Sequence, residues 1–589
     1  MKSLQYLNKY FLKYKWRFLL GIVFTVISNY YGVQMPIYFK NAVDSFQAHI
    51  ESSTPNDFLW LALKLGGFYM LFSLAKGFFL FLMRQTIIVM SRNIEFDLKN
   101  EIYEQYQRLD QAFFKRNATG DLMNRISEDV GLVRMYLGPG IMYIINLIVA
   151  FAMIVTQMIG ISPSLTLFVL IPLPIMSVLI YRVSSRMNAM GVLVQQEQSM
   201  LSTIAQETFS GIRIIKAYNR EKETAEKLNE RAENYKKQSM RLVKVNAFFI
   251  PTIMFLIGIS VLIAVYYGGL LSFSTDRTKH ISVGSIVAFI MFVNNLTWPF
   301  ASLGWVSSII QRASVSQKRI NEFLQTIPSI QNENKEEFDF QGNIRFENVS
   351  FEYPITEIKA VSNVSFELKK GETLAIVGHT GSGKSTISAL LMRQYDIQSG
   401  DILIDGKSIK DINLDAFRDQ SGIVPQDVFL FSDTIAENLQ FGVNDHLPSE
   451  EELIDVTKRA HVYHNIKEFP DQFNTLLGER GVNLSGGQKQ RISIARALLK
   501  KPKLLILDDC LSAVDTETEE IVLGNLEKDK NDRTTIVISH RISTIRNADK
   551  IIVLGNGSII EQGSHEELIS LKGSYFELYE QQLKKDDRD

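Results

Sequence analysis

At 589 residues the chain exceeds a single domain, and about 150 residues per domain predicts two to four. A formal net charge of −1 excludes a global electrostatic pull toward nucleic acid or a strongly acidic partner. The only cysteine is Cys510, which excludes a disulfide framework and a cysteine-based zinc site within one chain and suits a reducing cytoplasm for any soluble part.

In chain order, Leu4, Leu7, Phe11 and Tyr14 recur at helical spacing among Lys2, Lys9, Lys13 and Lys15, which predicts a helix lying along a membrane surface. It leads into an apolar run over 18–39. That run is too long for a signal-peptide core and lacks a small-residue cleavage site, so it reads as a retained transmembrane helix. Five more spans follow at 58–83, 137–160, 165–181, 247–272 and 281–310, each near the length of about 20 residues that the hydrocarbon thickness requires. Residues 253–271 carry no charge, which argues against a soluble core helix. Lysine and arginine crowd 84–134 and 182–244, whereas 40–57 and 273–280 are short and nearly balanced. The positive-inside asymmetry therefore predicts that both basic segments and both chain ends are cytoplasmic.

Ile94, Leu98, Ile102, Tyr106 and Leu109, and likewise Ile204, Thr208, Ile212, Ile215 and Tyr218, keep helical spacing, so the membrane helices are expected to continue well beyond the bilayer. Helix breakers and caps at 113–121 and 210–213 suit short transverse helices that dock on another domain. Lys64 and Lys76, inside the second span, either snorkel or face a cavity. Asn294, Asn295 and Trp298 in the last span read as helix-packing residues, with contact to an amphipathic compound as the alternative.

The span pattern ends near Gln311, and a charged helix over 314–325 runs into Pro328 and the acidic, Asn-rich stretch 331–341. This divides the chain into a transmembrane region 1–325, a linker 326–342 and, from the onset of two-residue alternation at Ile344, an α/β domain 343–589. Within that domain Gly378-His379-Thr380-Gly381-Ser382-Gly383-Lys384-Ser385-Thr386 fits G-x-x-x-x-G-K-[ST] between an apolar strand and a helical pattern, the setting a P-loop requires. Its backbone N–H groups would close on phosphate oxygens at a helix N-terminus, Lys384 would reach the β and γ phosphates, and the Ser385 hydroxyl would ligand Mg²⁺. Residues 504–508 form an apolar run ending in Asp508, a carboxylate on the metal side of the P-loop. Tyr353 is placed to stack on an adenine face. Gln426 and His540 each close a predicted strand, within reach of the γ-phosphate or its attacking water. His461 and His464, three residues apart with no third ligand nearby, read as a solvated helix face.

Leu484-Ser485-Gly486-Gly487-Gln488, followed by Lys489-Gln490-Arg491, resembles the signature of ATP-binding-cassette (ABC) proteins. With the P-loop, the Gln426 loop, the Asp508 strand, Ser512-Ala513-Val514-Asp515 and His540 in the family's order, the resemblance covers the whole C-terminal domain. Six spans ahead of one cassette resemble a half-transporter of the exporter type, and Gly478-Glu479-Arg480-Gly481 and Thr119-Gly120-Asp121-Leu122 look like exporter patterns for contact between domains. The fold class this implies is an α-helical polytopic membrane domain followed by an α/β P-loop NTPase. It implies ATP with Mg²⁺ held by Ser385, Asp508 and Gln426, and Ser485, Gly486, Gly487 and Gln488 of one cassette closing over the P-loop of another. The function implied is ATP-driven export of a drug-like compound or lipid across the cell membrane by alternating access, with no nucleic-acid partner. A lipid flippase, a peptide exporter and an ATP-gated channel are the alternatives. One position departs from the family pattern: after Asp508 most cassettes carry a catalytic glutamate, and here Asp509 stands one methylene shorter. That departure favours a heterodimer with a partner carrying the glutamate, while the retained His540 keeps a homodimer open.

Overall fold

The computed structural model describes residues 2–52, 55–273, 280–332, 334–444, 446–528 and 532–586. They form two compact units, Met1–Gln107 with Thr119–Thr326, and Arg108–Ala118 with Ile327–Asp589.

In the first unit, six helical segments among the described residues are long and apolar enough to cross a membrane: Lys15–Ala48, Leu59–Arg108, Thr119–Ile161, Pro163–Ser210, Glu221–Ser272 and Val283–Leu324. The 52-residue segment would measure about 78 Å at 1.5 Å per residue, against a hydrocarbon core of about 30 Å. More than half of it must therefore project beyond lipid, and its charged beginning carries pairs one helical turn apart such as Lys227–Glu223 and Lys236–Glu233. The fourth span, expected to stop at Tyr181, belongs to a helix that runs on to Ser210. The third segment contains two π turns, Arg125–Asp129 and Tyr136–Gly140, the second enclosing Pro139, whose missing N–H is accommodated by the wider turn. Ser162 alone separates the third and fourth spans, capping Pro163–Leu170 with its side chain. Parts of the short segments 40–57 and 273–280 lie outside the described residues.

Three sequence expectations meet the structure here. The N-terminal segment packs on protein along one side, where its lysines find acidic partners. Leu7 is fully buried, Ser3 donates to the Ser314 carbonyl (2.9 Å), Lys9 pairs with Glu101 (2.7 Å) and Lys13 with Asp97 (2.6 Å), leaving Leu12 and Trp16 exposed. Asn294, Asn295 and Trp298 do not pack within the unit: its core takes Phe292, Val293 and Leu296 from the opposite side of that helix. Of the two span lysines, Lys76 is half-buried against Gly32 of the first span, and Lys64 is exposed with its ammonium 5.7 Å from the Trp60 ring centroid.

In the second unit, β1 (Ile344–Glu352), β2 (Lys359–Leu368), β4 (Ser399–Ile404) and β5 (Lys407–Ser408) form an antiparallel sheet in the order β2-β1-β4-β5. A second sheet joins β3 (Thr373–Gly378), β6 (Ser421–Val424), β7 (Leu504–Asp508), β8 (Thr534–Ile538), β9 (Lys550–Gly555) and β10 (Ser558–Gly563) in the order β10-β9-β3-β8-β7-β6. All but the β10 edge is parallel. β7 and β8 are buried at every position, as a parallel sheet covered on both faces requires. Alternation then feeds two cores: Leu504 and Ile506 enter one, Leu505 and Leu507 the other.

Residues 327–342, where a linker was expected, lie on this unit. Phe340 is fully buried and its N–H donates to Gln420 Oε1 (3.0 Å). The short helix Gln111–Arg116 belongs to the same unit: Asp110 accepts from the N–H groups of Phe113 (3.0 Å) and Ser329 (2.8 Å), and Ala112 packs on the cassette core. Lys115 Nζ sits 5.3 and 5.7 Å from the Tyr353 and Tyr395 ring centroids. The other short helix, Ile212–Ala217, lies in the first unit with Ile214 and Tyr218 exposed.

Candidate functional site

Four adjacent parallel strands, β3, β8, β7 and β6, end at one edge of the sheet, which gathers residues far apart in sequence. The loop after β3 leads into Lys384–Leu391. Gly383 has φ +98°, and a Cβ there would collide with the Ala360 carbonyl oxygen, so only glycine fits. Gly381 has φ +83° with open space on its Cβ side, leaving backbone free for a close-lying anion. Lys384 Nζ donates to the carbonyl oxygens of Gly378 (2.8 Å) and His379 (2.9 Å). Burial lowers its pKa from the ordinary lysine value, and the charges of Asp509 and Asp508 oppose that shift. Ser382 Oγ is buried without a hydrogen-bond partner among the described residues.

Asp508, at the end of β7, accepts from Ser385 Oγ (2.9 Å) and Ser388 Oγ (3.0 Å). Burial pushes its carboxyl above the ordinary range, and these two hydroxyls pull it back. Thr386 is buried, with the Tyr353 hydroxyl 3.0 Å from its Oγ1, and the Tyr353 ring stands edge-on to Phe351 and Tyr395.

Asp509 adopts φ +48°, which aspartate tolerates better than most residues, and its N–H donates to the Ile538 carbonyl at the end of β8 (2.8 Å). The side chain thereby meets His540, Nδ1 to Oδ1 at 2.8 Å, while Gln426 Nε2 lies 3.4 Å from Oδ2. Tyr353, the P-loop, Gln426, Asp508, Asp509 and His540 line one cleft of about 640 Å³. The next residue, Cys510, is fully buried, and burial pushes its thiol pKa far up.

Ser485, Gly486, Gly487 and Gln488 are not in that lining. They open the helix Gly486–Leu499, where Ser485 Oγ accepts from the Gln488 N–H (3.3 Å) and Gln488 Oε1 from the Ser485 N–H (2.9 Å), a capping box. Buried Gln490 ties this helix to the loop after Asp509, accepting from the Ala513 N–H (3.1 Å) and donating to Ser512 Oγ (3.3 Å). From the other side Arg541 donates to the Ser512 (3.2 Å) and Val514 (3.1 Å) carbonyls and pairs with buried Glu519 (2.6 Å). Sequence reasoning missed Ser388 and Arg541, and gave Gln490, quoted within the signature stretch, no role of its own. Ser388 was detectable as the residue one helical turn after Ser385, but the others connect only through tertiary contacts. His461 is not on a helix face as expected. It occupies a turn at φ +51°, and Arg491 donates to its carbonyl.

Residues 18–300 match the ABC transporter transmembrane region, and 361–512 match the ABC transporter model. The chain is 34% identical over 583 residues to a probable multidrug resistance ABC transporter ATP-binding/permease protein, YheI, of Bacillus subtilis, covering 98% of this chain and 97% of that one. It is also 34% identical over 529 residues to an ATP-dependent lipid A-core flippase of Syntrophus aciditrophicus, covering 90% and 86%. A solved bacterial Atm1-family ABC exporter with ATP bound superposes with a TM-score of 0.78 over 98% of each chain at 26% identity. Spans, cassette and both sets of relatives agree, and the chain belongs to the ABC transporters of the exporter type, in which ATP hydrolysis drives transport.

Proposed function

We propose that this chain is one half of a dimeric exporter that moves an amphipathic drug-like compound or lipid, taken from the inner leaflet or cytoplasm, with the cassette and both chain ends cytoplasmic. One observation carries the substrate class. Tyr143, Phe249, Ile253, Trp298, Ser302 and Trp305 border a cavity of about 680 Å³ in the membrane unit whose lining includes no charged side chain. Such a cavity fits an apolar body with a few hydrogen-bonding groups, and the multidrug and flippase names of the relatives point the same way.

In the cassette, the N–H groups of the P-loop, Ser382 among its residues, and the Lys384 ammonium hold the nucleotide phosphates, and Tyr353 faces the base. The hydroxyl of Ser385, the carboxylate of Asp508 and the amide oxygen of Gln426 are hard oxygen donors and fit Mg²⁺, which neutralises charge on the β and γ phosphates when bound. Asp509 and His540 orient the attacking water and accept its proton. The aspartate stops a methylene short of the glutamate found in most cassettes, so this site turns over slowly. Ser485 and Gly487, at a helix N-terminus, serve the P-loop of the partner, and a heterodimer with a glutamate-bearing chain uses both features.

The test is uptake into inverted vesicles with the partner present. Amphipathic compounds accumulate with ATP, and Lys384→Ala abolishes the accumulation. A broad panel that neither accumulates nor alters ATPase rate in lipid rejects the substrate class, and undiminished transport by Lys384→Ala rejects this P-loop as part of the engine.

A further inference from the structure

Near its end the chain forms the helix Ser574–Asp586. Three contacts hold its first turns. Glu561 accepts from the N–H groups of Ser574 (2.5 Å) and Tyr575 (3.0 Å), Tyr575 is fully buried, and its hydroxyl meets His565 Nδ1 at 2.8 Å. One turn on, Leu578 reaches the lining of the nucleotide cleft. One further turn on, the half-buried amide of Gln582 makes two bonds to backbone: Oε1 accepts from the Ile542 N–H (2.7 Å) and Nε2 donates to the His540 carbonyl (2.6 Å).

These two backbone groups bracket Arg541. The Ile542 N–H opens the short helix Ile542–Ile545, which has no side-chain cap of its own, and the His540 carbonyl belongs to the residue whose ring meets Asp509. Donating and accepting at once from a planar group is what an amide offers; a carboxylate can only accept and a thioether does neither well. On the far side, Arg541 anchors the same segment to Ser512, Val514 and Glu519. The turn carrying His540 is thus clamped from two sides, and Gln582 supplies the clamp on the C-terminal side. Since Glu561 and Tyr575 hold the helix independently, losing the amide would free the His540 turn without detaching the helix.

We propose that Gln582 is a positioning residue for ATP hydrolysis, fixing His540 against Asp509 and the attacking water. The inference rests on the reading of His540 as a catalytic group. It assigns the C-terminal helix a part in the chemistry beside its place in the fold.

The full chain, reconstituted alone in lipid so that every turnover comes from its own P-loop, is assayed for kcat and for KM of Mg-ATP. Gln582→Met lowers kcat about tenfold, because a displacement of a fraction of an ångström at a catalytic group is costly, and leaves KM within about twofold. Its thermal unfolding midpoint is unmoved. Gln582→Glu, of the same size, keeps the acceptor for the Ile542 N–H but repels the His540 carbonyl, and also loses kcat; it stands in if the methionine variant folds poorly. In a His540→Ala background, Gln582→Met brings no further loss. Full kcat in both Gln582 variants, a KM change matching the rate change, or a multiplicative loss on top of His540→Ala overturns the proposal. If His540→Ala alone leaves the rate intact, the catalytic reading of His540 fails and the positioning role falls with it.

Discussion

Replacing Asp509 with glutamate tests the weak-site reading most directly. The aspartate carboxylate sits 2.8 Å from His540 Nδ1 and 3.4 Å from Gln426 Nε2, already engaged within the cleft. Glutamate extends it by one methylene, about 1.5 Å. A misplacement of about 1 Å can cost a hundredfold in rate, equivalent to about 2.7 kcal/mol of barrier, so Asp509→Glu is expected to raise the slow turnover of the chain alone by about ten- to a hundredfold. The backbone at φ +48° opposes the change: glutamate lacks the short polar side chain that eases the left-handed region, which costs on the order of 1 kcal/mol of stability. Stability and rate therefore move in opposite directions, and neither can be mistaken for the other. Phosphate release is followed in lipid at saturating Mg-ATP, beside a thermal melt. A wild-type chain that turns over briskly alone, and is silenced by Asp509→Asn, would refute the reasoning, since Asp509 would then be a competent base without a partner.

Two further outcomes follow from the cassette. Lys115→Met removes a cation from the Tyr353 and Tyr395 rings, worth about 0.5–1 kcal/mol at a partly exposed site, and should raise the ATP concentration for half-maximal rate about two- to fivefold, read from a KM titration. Gly383→Ala forces a methyl group into the Ala360 carbonyl oxygen and should abolish fluorescent-nucleotide binding while the membrane unit remains folded by near-UV circular dichroism.

The parts of the cassette legible in the sequence were those whose chemistry demands fixed spacing. Gly383 must be glycine and Lys384 must open a helix wherever this loop occurs, so a short motif announces the whole geometry. Asp508 was readable for a similar reason, as the first carboxylate after an apolar strand. Arg541 and Gln582 were not, because each completes a contact between segments 20 or more residues apart and nothing in its neighbours sets its identity, and Gln490, though inside the signature stretch, gave no sign of its partners Ser512 and Ala513. The spans were visible from hydropathy alone, whereas the protein partners of the N-terminal segment were not. Lysines beside a helical stripe look the same whether anionic headgroups or Glu101 and Asp97 receive them. The acidic stretch before β1 misled in the opposite sense, since its polarity concealed a buried Phe340.

The burial of Cys510 carries a practical consequence for measuring motion. It is the sole thiol in 589 residues, it is fully buried, and its thiolate is suppressed, so maleimides and nitroxide reagents should pass it by in the folded protein. The wild-type chain is therefore already a silent background for site-directed labelling. A cysteine introduced at exposed Leu12, Phe209 or Tyr218 would carry its probe alone, and distances across the transport cycle could be recorded without first disturbing the residue beside Asp509.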